Sequence, residues 1–320
     1  MSKTQLDNLL RPKVWEDYIG QENIKKNLDV LLKAAKNRKQ VPEHLLFYGP
    51  PGLGKTTLSY LIASEIGSNI KITSGPAIEK VGDLASVLSN LSDGDVLFID
   101  EIHRLNKNIE EVLYPAMENG TLDIIVGKGP SARTVQLELS PFILIAATTK
   151  TSQISAPLRS RFSGGVFRLE FYSNKELATI VKNSAKILGI KIDEDAALEI
   201  ASRSRSTPRT ANYFLKRARD LSEIRNKSKI DKEIVLEVLD MIGIDEKGLN
   251  DLDRQILLTI IDKYKGGPVG LSTIAASISE EPATIEEINE PYLLQLGFIS
   301  KTPRGREVTD KAYQHLKIKK

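Results

Sequence analysis

The chain's 320 residues are enough for two or three domains, and 41% apolar with 27% charged residues is ordinary for a globular protein. The absence of cysteine excludes disulfides and thiolate metal sites, while the lack of a long apolar run or a signal-peptide pattern leads us to expect a cytoplasmic protein with no membrane contact. Because the net charge is only +3, any contact with nucleic acid must be local.

Short apolar runs alternate with amphipathic stretches in the first half of the chain. The runs lie at residues 45–48, 70–72, 96–99 and 143–147. Such an alternation predicts a parallel sheet with covering helices, which makes residues 1–172 an α/β domain.

From residue 174 the pattern becomes wholly helical. Four helices are predicted, at residues 174–188, 193–203, 208–225 and 231–242. The polar segment that follows, at 245–248, is typical of a linker. We therefore predict a small helical domain over residues 173–245 and a third domain over residues 249–320.

The segment 49–56 reads Gly-Pro-Pro-Gly-Leu-Gly-Lys-Thr and lies between a predicted strand and a predicted helix. Glycines such as Gly52 and Gly54 leave backbone N–H groups able to point at phosphate oxygens, and the helix adds its positive N-terminal end. Lys55 is expected to reach the β- and γ-phosphates and Thr56 to ligate Mg²⁺. The alternative is an ordinary glycine-rich turn, but the context favours a nucleoside triphosphate site.

The apolar run at 96–99 is followed by two adjacent acids, Asp100 and Glu101. Since consecutive strand residues point in opposite directions, the two carboxylates can take different tasks. We expect Asp100 to organise Mg²⁺ together with Thr56, and Glu101 to orient the attacking water. The alternative is a solvated acidic turn after a strand.

Four further polar residues are candidates for the same chemistry. Thr149 follows the run at 143–147 and could bond the γ-phosphate or the water. Arg159 and Arg161 lie close together, and one of them is a candidate arginine finger, although a surface pair is the alternative. Arg209 follows the predicted helix start at Pro208 and could reach the phosphates.

Alternating apolar residues on either side of residues 127–130 predict a β-hairpin within an insertion at about 119–141. Its apolar stripe could be a docking surface for a partner or could fold onto the domain's own sheet.

The third domain has the outline of a winged helix, with helices at 251–264 and 272–279 and a third that a capping box of Thr284 and Glu287 would begin. Two short strands then flank a turn at 303–305.

Charge in this domain favours contact with DNA through the wing. The third helix carries Glu286, Glu287 and Glu290, which phosphates would repel, so reading of the major groove is disfavoured. The wing gathers the three cations Lys301, Arg304 and Arg306. They suit phosphate contacts that ignore sequence, although a solvated basic turn is the alternative.

Taken together, these residues resemble the AAA+ ATPases and, among them, the motors that drive branch migration of Holliday junctions. The resemblance covers residues 9–316, nearly the whole chain. Besides the phosphate loop, it is carried by Leu10-Arg11-Pro12, Tyr18-Ile19-Gly20-Gln21, residues 98–105, Ala147-Thr148-Thr149, Ser206-Thr207-Pro208-Arg209, residues 266–271, Glu290-Pro291-Tyr292-Leu293 and residues 302–306.

The resemblance implies roles for particular residues. Thr149 would sense the γ-phosphate, Arg161 would be the finger offered to a neighbouring subunit, and Arg209 would be a second sensor within its own subunit. The adenine pocket would be formed by Leu10, Arg11, Ile19 and Tyr172. Further nucleotide contacts are implied for Thr57, Glu118, Asn119 and Gly120.

The resemblance also implies partners. It implies a homo-hexameric ring on duplex DNA that acts on Holliday junctions in recombination and DNA repair. RuvA would bind through the 119–141 hairpin, and RuvC would join the assembly. Where some relatives carry a basic residue against DNA, this chain has Pro282, which would either leave the wing a larger share of the contact or weaken DNA binding.

Two other functions fit parts of the sequence. An ATP-dependent transcriptional regulator is disfavoured by the acidic third helix. A clamp-loader-like switch, in which ATP controls partner binding, is disfavoured by the segment 266–271 and the basic wing.

Overall fold

The computed structural model describes residues 9–126 and 133–319. The chain forms two compact units, Met1–Tyr172 and Ser173–Lys320. Within the described residues, no helix has the length and apolar character needed to cross a membrane.

The first unit is built on a five-stranded parallel sheet with strand order β2-β3-β6-β1-β7. Its helices are α1 (Glu22–Arg38), α2 (Lys55–Ile66), α3 (Val81–Ser89), α4 (Lys107–Asn119) and α5 (Ala156–Ser160). Its strands are β1 (Leu45–Tyr48), β2 (Ile70–Ser74), β3 (Val96–Asp100), β4 (Thr121–Val126), β5 (Arg133–Glu138), β6 (Ile143–Thr148) and β7 (Gly165–Arg168).

Four sheet strands coincide with the predicted apolar runs. Three of them, β1, β3 and β6, are central strands with almost entirely buried side chains, whereas β2 is an edge strand with mostly half-buried ones. The fifth strand, β7, was not predicted. It lies at the edge beside β1, and its exposed residues alternate with half-buried ones, so no apolar run marks it.

The predicted hairpin is formed by β4 and β5, with Leu122 opposite Leu137 and Ile124 opposite Val135. Its turn at 127–130 lies outside the described residues. Leu122 is buried in the core of the unit, and Ile124 and Leu137 pack against that core, whereas Val135 is exposed. The apolar stripe is therefore divided: most of it folds onto its own unit, and its exposed part lies further along the hairpin.

The second unit begins with four helices: α6 (Asn174–Ile187), α7 (Glu194–Arg203), α8 (Pro208–Ile224) and α9 (Lys232–Met241). A two-stranded parallel pair, β8 (Lys191–Ile192) and β9 (Lys229–Ile230), joins them. The helical pattern predicted all four helices to within two residues at each end.

The rest of the second unit is a winged helix. Its helices are α10 (Asp251–Tyr264), α11 (Leu271–Ile278), α12 (Pro282–Thr284), α13 (Glu290–Gln295) and α14 (Asp310–Leu316), with a π-helical segment, Ile285–Asn289, between α12 and α13. The wing is the antiparallel pair β10 (Ile299–Thr302) and β11 (Gly305–Val308).

The predicted capping box of Thr284 and Glu287 is wrong. Pro282 occupies the first helical turn and Glu281 is the N-cap, so the helix begins before Thr284, whose own backbone is already helical. Proline suits that first position because it has no N–H to satisfy.

Polar contacts join the four helices to the winged helix. Arg205 donates to the Asp253 carboxylate at 3.2 Å and to the carbonyl of Ile288 at 3.3 Å. The Asn289 amide donates to the same carboxylate at 2.7 Å. Asp253 is fully buried, and burial raises its pKa despite the opposing effect of Arg205. The predicted linker at 245–248 therefore lies inside one compact unit.

Candidate nucleotide site and wing

The phosphate loop connects the end of β1 to the start of α2. Gly54 precedes the helix with a φ of +99°, a conformation that favours glycine, and a Cβ there would lie close to the Tyr18 hydroxyl, at 3.1 Å. Lys55 is buried, and its ammonium donates to the carbonyls of Gly49 at 2.8 Å and Pro50 at 3.0 Å. The loop itself thus holds the cation that we predict to reach the phosphates.

The structure brings Glu101 and Thr149 together. Glu101 has a left-handed backbone, with φ of +49°, and its N–H donates to the Asp100 carboxylate at 3.0 Å. The Thr149 hydroxyl donates to Glu101 Oε2 at 3.4 Å. The two residues come from the ends of β3 and β6, which are neighbours in the sheet. A candidate water-orienting carboxylate and a candidate phosphate sensor therefore share a hydrogen bond.

Sequence reasoning did not single out two groups beside Glu101. His103 Nδ1 lies 3.3 Å from Glu101 Oε2 and 2.9 Å from the Thr148 hydroxyl, and the histidine is mostly buried. Gly75 follows β2, and a Cβ on it would lie 2.4 Å from the Glu101 carbonyl oxygen. The sequence signal available for Gly75 was a glycine–proline pair shortly after the apolar run at 70–72. No spacing rule would have found His103.

The candidate Mg²⁺ ligands are a hydroxyl, Thr56, in the first turn of α2 and a carboxylate, Asp100, at the end of β3. Within the described ranges, no cluster of three or more His, Cys, Asp or Glu side chains could hold a metal alone. One hydroxyl and one carboxylate fit Mg²⁺ that is shared with nucleotide phosphates, the usual form of such sites. Thr57 follows Thr56 and is half-buried.

The predicted adenine residues lie in the first unit. Leu10 and Tyr172 are buried, and Ile19 is half-buried. The Tyr172 hydroxyl lies 3.3 Å from both the Tyr18 hydroxyl and the Leu53 carbonyl of the phosphate loop, and it can donate its hydrogen bond to either of them.

Two neighbouring side chains add to this region. Burial raises the pKa of Tyr18 well above its ordinary value, and the electrostatic effect of Tyr172 raises it further, so Tyr18 is a neutral phenol. Tyr18 lies in the motif at 18–21 but was not predicted as a site residue. The Arg11 guanidinium lies 5.1 Å from the centre of the Tyr60 ring.

Arg161 follows α5 and lies against α4. Its guanidinium carbon is 4.2 Å from the centre of the Tyr114 ring, and Nη2 is 3.1 Å from Glu118 Oε1. Nη1 donates to the Pro157 carbonyl at 2.8 Å. Asn119 ends α4, and Gly120 is its C-cap. The structure therefore pairs the candidate finger with one of the predicted nucleotide contacts.

Arg209 belongs to the second unit. It is exposed in the first turn of α8, directly after Pro208. Two left-handed residues precede that helix, Arg205 and Ser206, with φ of +53° and +55°.

The wing differs from the sequence prediction. Arg306 donates to Glu290 from both Nε, at 3.1 Å, and Nη2, at 2.8 Å, and only 13% of the Arg306 side chain and 4% of the Glu290 side chain are exposed. Lys301 lies 3.3 Å from the same carboxylate, while Arg304 is exposed at the turn. Glu290 is therefore not an acid that faces DNA, and Arg306 has a structural partner that the sequence did not indicate.

Comparison with known proteins covers the whole chain. Family models match in order: the P-loop domain of the Holliday junction DNA helicase RuvB at residues 10–169, the RuvB AAA lid domain at 172–245 and the RuvB C-terminal winged helix domain at 246–317. These matches confirm the predicted fold class.

Individual relatives agree. The Holliday junction branch migration complex subunit RuvB of Fusobacterium nucleatum is 54% identical over 316 residues, which are 99% of this chain and 95% of that protein. The protein of the same name from Dehalococcoides mccartyi is 56% identical over 314 residues, 98% of this chain and 90% of that one. The solved RuvB Holliday junction branch migration motor of Thermotoga maritima has a TM-score of 0.89 at 49% identity and covers 98% of this chain and 99% of its own. This chain therefore belongs to the RuvB family and is a nucleotide-binding ATP hydrolase with an AAA+ P-loop domain.

Proposed function

We propose that this chain is an ATP-driven DNA motor that promotes branch migration of Holliday junctions in the cytoplasm, during recombination and DNA repair. Its working form is a homo-hexameric ring that acts with RuvA and RuvC. One observation supports this proposal most directly: the curated relatives whose names give that complex align with almost the full length of both chains.

The residues of the first unit account for hydrolysis. Lys55 binds the β- and γ-phosphates of ATP, and the Glu101 carboxylate orients and polarises the attacking water. Because Thr149 bonds Glu101 at 3.4 Å, a threonine that also contacts the γ-phosphate links the presence of that phosphate to the position of the carboxylate. Mg²⁺, held by Thr56, Asp100 and the phosphates, would neutralise charge that develops on the phosphate oxygens.

The proposed division of labour follows the three predicted domains. Residues 1–172 bind and hydrolyse ATP, residues 173–245 form a lid that carries the second sensor, Arg209, and residues 249–320 hold DNA. Arg161 completes the site of a neighbouring subunit, so hydrolysis requires assembly. The contacts of Arg205 with Asp253 and Ile288 support transmission of lid motion to the winged helix.

The DNA and protein contacts follow from exposure. Arg304 and Lys301 contact phosphates without reading sequence, while Arg306 fixes the wing on which they stand. RuvA binds the exposed part of the 119–141 hairpin, where Val135 lies, because Leu122 and its neighbours are already covered.

The test is ATP hydrolysis without DNA, with linear duplex, and with a four-way junction plus RuvA. We expect turnover to rise with DNA and to rise further with the junction and RuvA. Arg161→Ala should abolish the rise, and an equal mixture with Lys55→Ala subunits should restore it, because each mutant supplies what the other lacks. A rate of hydrolysis that does not change with DNA, or a mixture that stays inactive, would contradict the ring-motor mechanism. Either result would favour the clamp-loader-like switch, in which ATP controls partner binding.

A further inference from the structure

The contact between Arg161 and Tyr114 is the starting point. The guanidinium stacks on the Tyr114 ring with its carbon 4.2 Å from the ring centre. Of its two terminal nitrogens, Nη2 forms an ion pair with Glu118 and Nη1 donates to the Pro157 carbonyl. The Nε atom is buried and finds no hydrogen-bond partner among the described residues. Only 21% of the Arg161 side chain is exposed, so the residues around it already restrict its orientation.

The Tyr114 ring is itself held in place. Its hydroxyl donates to Glu110 Oε1 at 3.1 Å and lies 3.0 Å from the Ser155 hydroxyl. Glu110 is buried and also accepts a hydrogen bond from Ser155. Tyr114 packs against the core of the first unit. Ring position is therefore fixed by α4, by the core and by two polar groups.

The same cluster fixes the backbone of Arg161. The Ser155 hydroxyl accepts from the Leu158 N–H at 3.2 Å and caps α5, the five-residue helix that ends directly before Arg161. The Tyr114 hydroxyl thus ties α4 to the start of that helix, while the Tyr114 ring contacts the side chain at its end.

We propose that Tyr114 is a positioning residue for the arginine finger: its ring orients the Arg161 guanidinium for insertion into the nucleotide site of a neighbouring subunit. This inference rests on the proposed action of Arg161 in trans. A flat ring suits a flat guanidinium, and holding it reduces the side-chain freedom that insertion must remove.

Glu118 is less suited to that task. Its side chain is 52% exposed, so the ion pair is screened by solvent and forms and breaks readily. A nucleotide phosphate can therefore replace Glu118 on Arg161 while the ring contact remains. Tyr114 supplies the lasting orientation, and Glu118 an exchangeable charge.

Two substitutions separate the ring from its hydroxyl. Tyr114→Leu removes the ring but keeps an apolar side chain, whereas Tyr114→Phe keeps the ring and removes only the hydroxyl. We expect Tyr114→Leu to lower the kcat for DNA-stimulated ATP hydrolysis by about tenfold to a hundredfold with the KM for ATP within about twofold, and Tyr114→Phe to retain kcat within about threefold. If Tyr114→Leu keeps the wild-type kcat, or Tyr114→Phe loses as much as Tyr114→Leu, the ring does not position the finger.

The decisive measurement mixes subunits. Lys55→Ala subunits cannot bind phosphates but offer intact Tyr114 and Arg161 to their neighbours. Mixed with Tyr114→Leu subunits, they should restore hydrolysis, as they should with Arg161→Ala subunits. Rescue of Arg161→Ala without rescue of Tyr114→Leu would leave the trans finger standing and overturn the role of Tyr114.

If neither mixture recovers ATP hydrolysis, Arg161 does not act in trans, and the role inferred for Tyr114 is excluded with it. Melting temperature and ring size are measured first for each variant. If Tyr114→Leu does not fold or assemble, Tyr114→Met provides a more flexible apolar replacement, and its kcat and rescue decide the same question.

Discussion

The phosphate loop and the wing place their charged residues in different ways. Lys55 is held by carbonyls five and six residues away in its own loop, and the backbone N–H of Glu101 donates to the adjacent Asp100 carboxylate at the end of β3. In the wing, Arg306 is held by Glu290, sixteen residues earlier and on another element. Local backbone geometry makes the placement of a motif residue predictable from sequence, whereas pairing between separate elements changes which contacts a charged side chain can make.

The largest expected effect tests the first half of this comparison. Glu101→Gln keeps the shape of the side chain but removes the charge that we propose polarises water, so we expect ATP hydrolysis to fall by about 10²- to 10⁴-fold. Binding of a fluorescent ATP analogue should persist. The control is Glu111→Gln, an exposed position on α4, which should hydrolyse ATP at the wild-type rate. Residual activity within tenfold of wild type would break the assignment.

A backbone substitution tests whether local geometry fixes Glu101. In Gly75→Ala the added methyl would lie 2.4 Å from the Glu101 carbonyl oxygen, so that segment must move, and we expect kcat to fall by about tenfold. Gly82→Ala is the matched control, because nothing lies within 4 Å of a Cβ there. Steady-state ATP hydrolysis by both variants measures the difference, and equal rates would show that the close approach at Gly75 is unimportant.

The wing prediction is one of stability. Arg306→Ala leaves the buried Glu290 carboxylate with Lys301 alone, and we expect the free energy of unfolding to fall by about 3 kcal/mol. The exposed Arg304→Ala should change it by less than about 0.5 kcal/mol. Urea unfolding of the two variants compares them. Similar small losses for both would mean that Arg306 is a surface cation after all.

Arg304 and Arg306 are also expected to differ in their effect on DNA binding. Because we propose that Arg304 contacts a DNA phosphate, Arg304→Ala should weaken binding to all duplex sequences alike and reduce the slope of log K against log salt by about one. Fluorescence anisotropy on two unrelated duplexes at several salt concentrations measures this. An unchanged slope would exclude Arg304 from the phosphate contact.

The smallest expected effect is on the free energy of unfolding, from the loss of an exposed local interaction at the start of a helix. Asp231 caps α9 by accepting from the Ile234 N–H at 3.0 Å, so Asp231→Ala should cost about 1 kcal/mol of unfolding free energy and Asp231→Asn only a few tenths.

This interaction also has a defined pH dependence. The hydrogen bond from Lys227, and then that from Ile234, lower the pKa of Asp231 below its ordinary value. The stability that the charge provides is therefore complete above about pH 4, the usual range for aspartate, and is lost as pH falls through the lowered pKa. The unfolding difference between wild type and Asp231→Asn should shrink on acidification. A difference that does not change with pH would contradict it.

Prediction from sequence succeeded where information is local. The central strands, the four lid helices and the phosphate loop follow from apolar runs, helical periodicity and glycines that lie close together in the chain. The edge strand β7 carries no such run, and the start of α12 was misplaced because Pro282 begins the helix ahead of Thr284.

The candidate site divides in the same way. Thr149 and Glu101 were predicted separately and are in contact, since strand ends of a parallel sheet lie at one edge. His103 and Tyr114 were missed as parts of the site, because their importance comes only from what they touch. Tyr114 reaches Arg161, forty-seven residues later, and nothing in the spacing of the two residues indicates that contact.

The Arg306–Glu290 pair has a mechanical consequence. Two hydrogen bonds clamp β11 to α13, and the backbone of Arg306 also exchanges hydrogen bonds with Val269 in front of α11, at 3.0 and 2.8 Å. The wing is thus braced on two sides, and a hairpin braced in this way has little slack. In the proposed motor, load applied to a phosphate bound at the wing would pass directly into the helices behind it, so a small rotation of the winged helix would move the DNA rather than bend the protein.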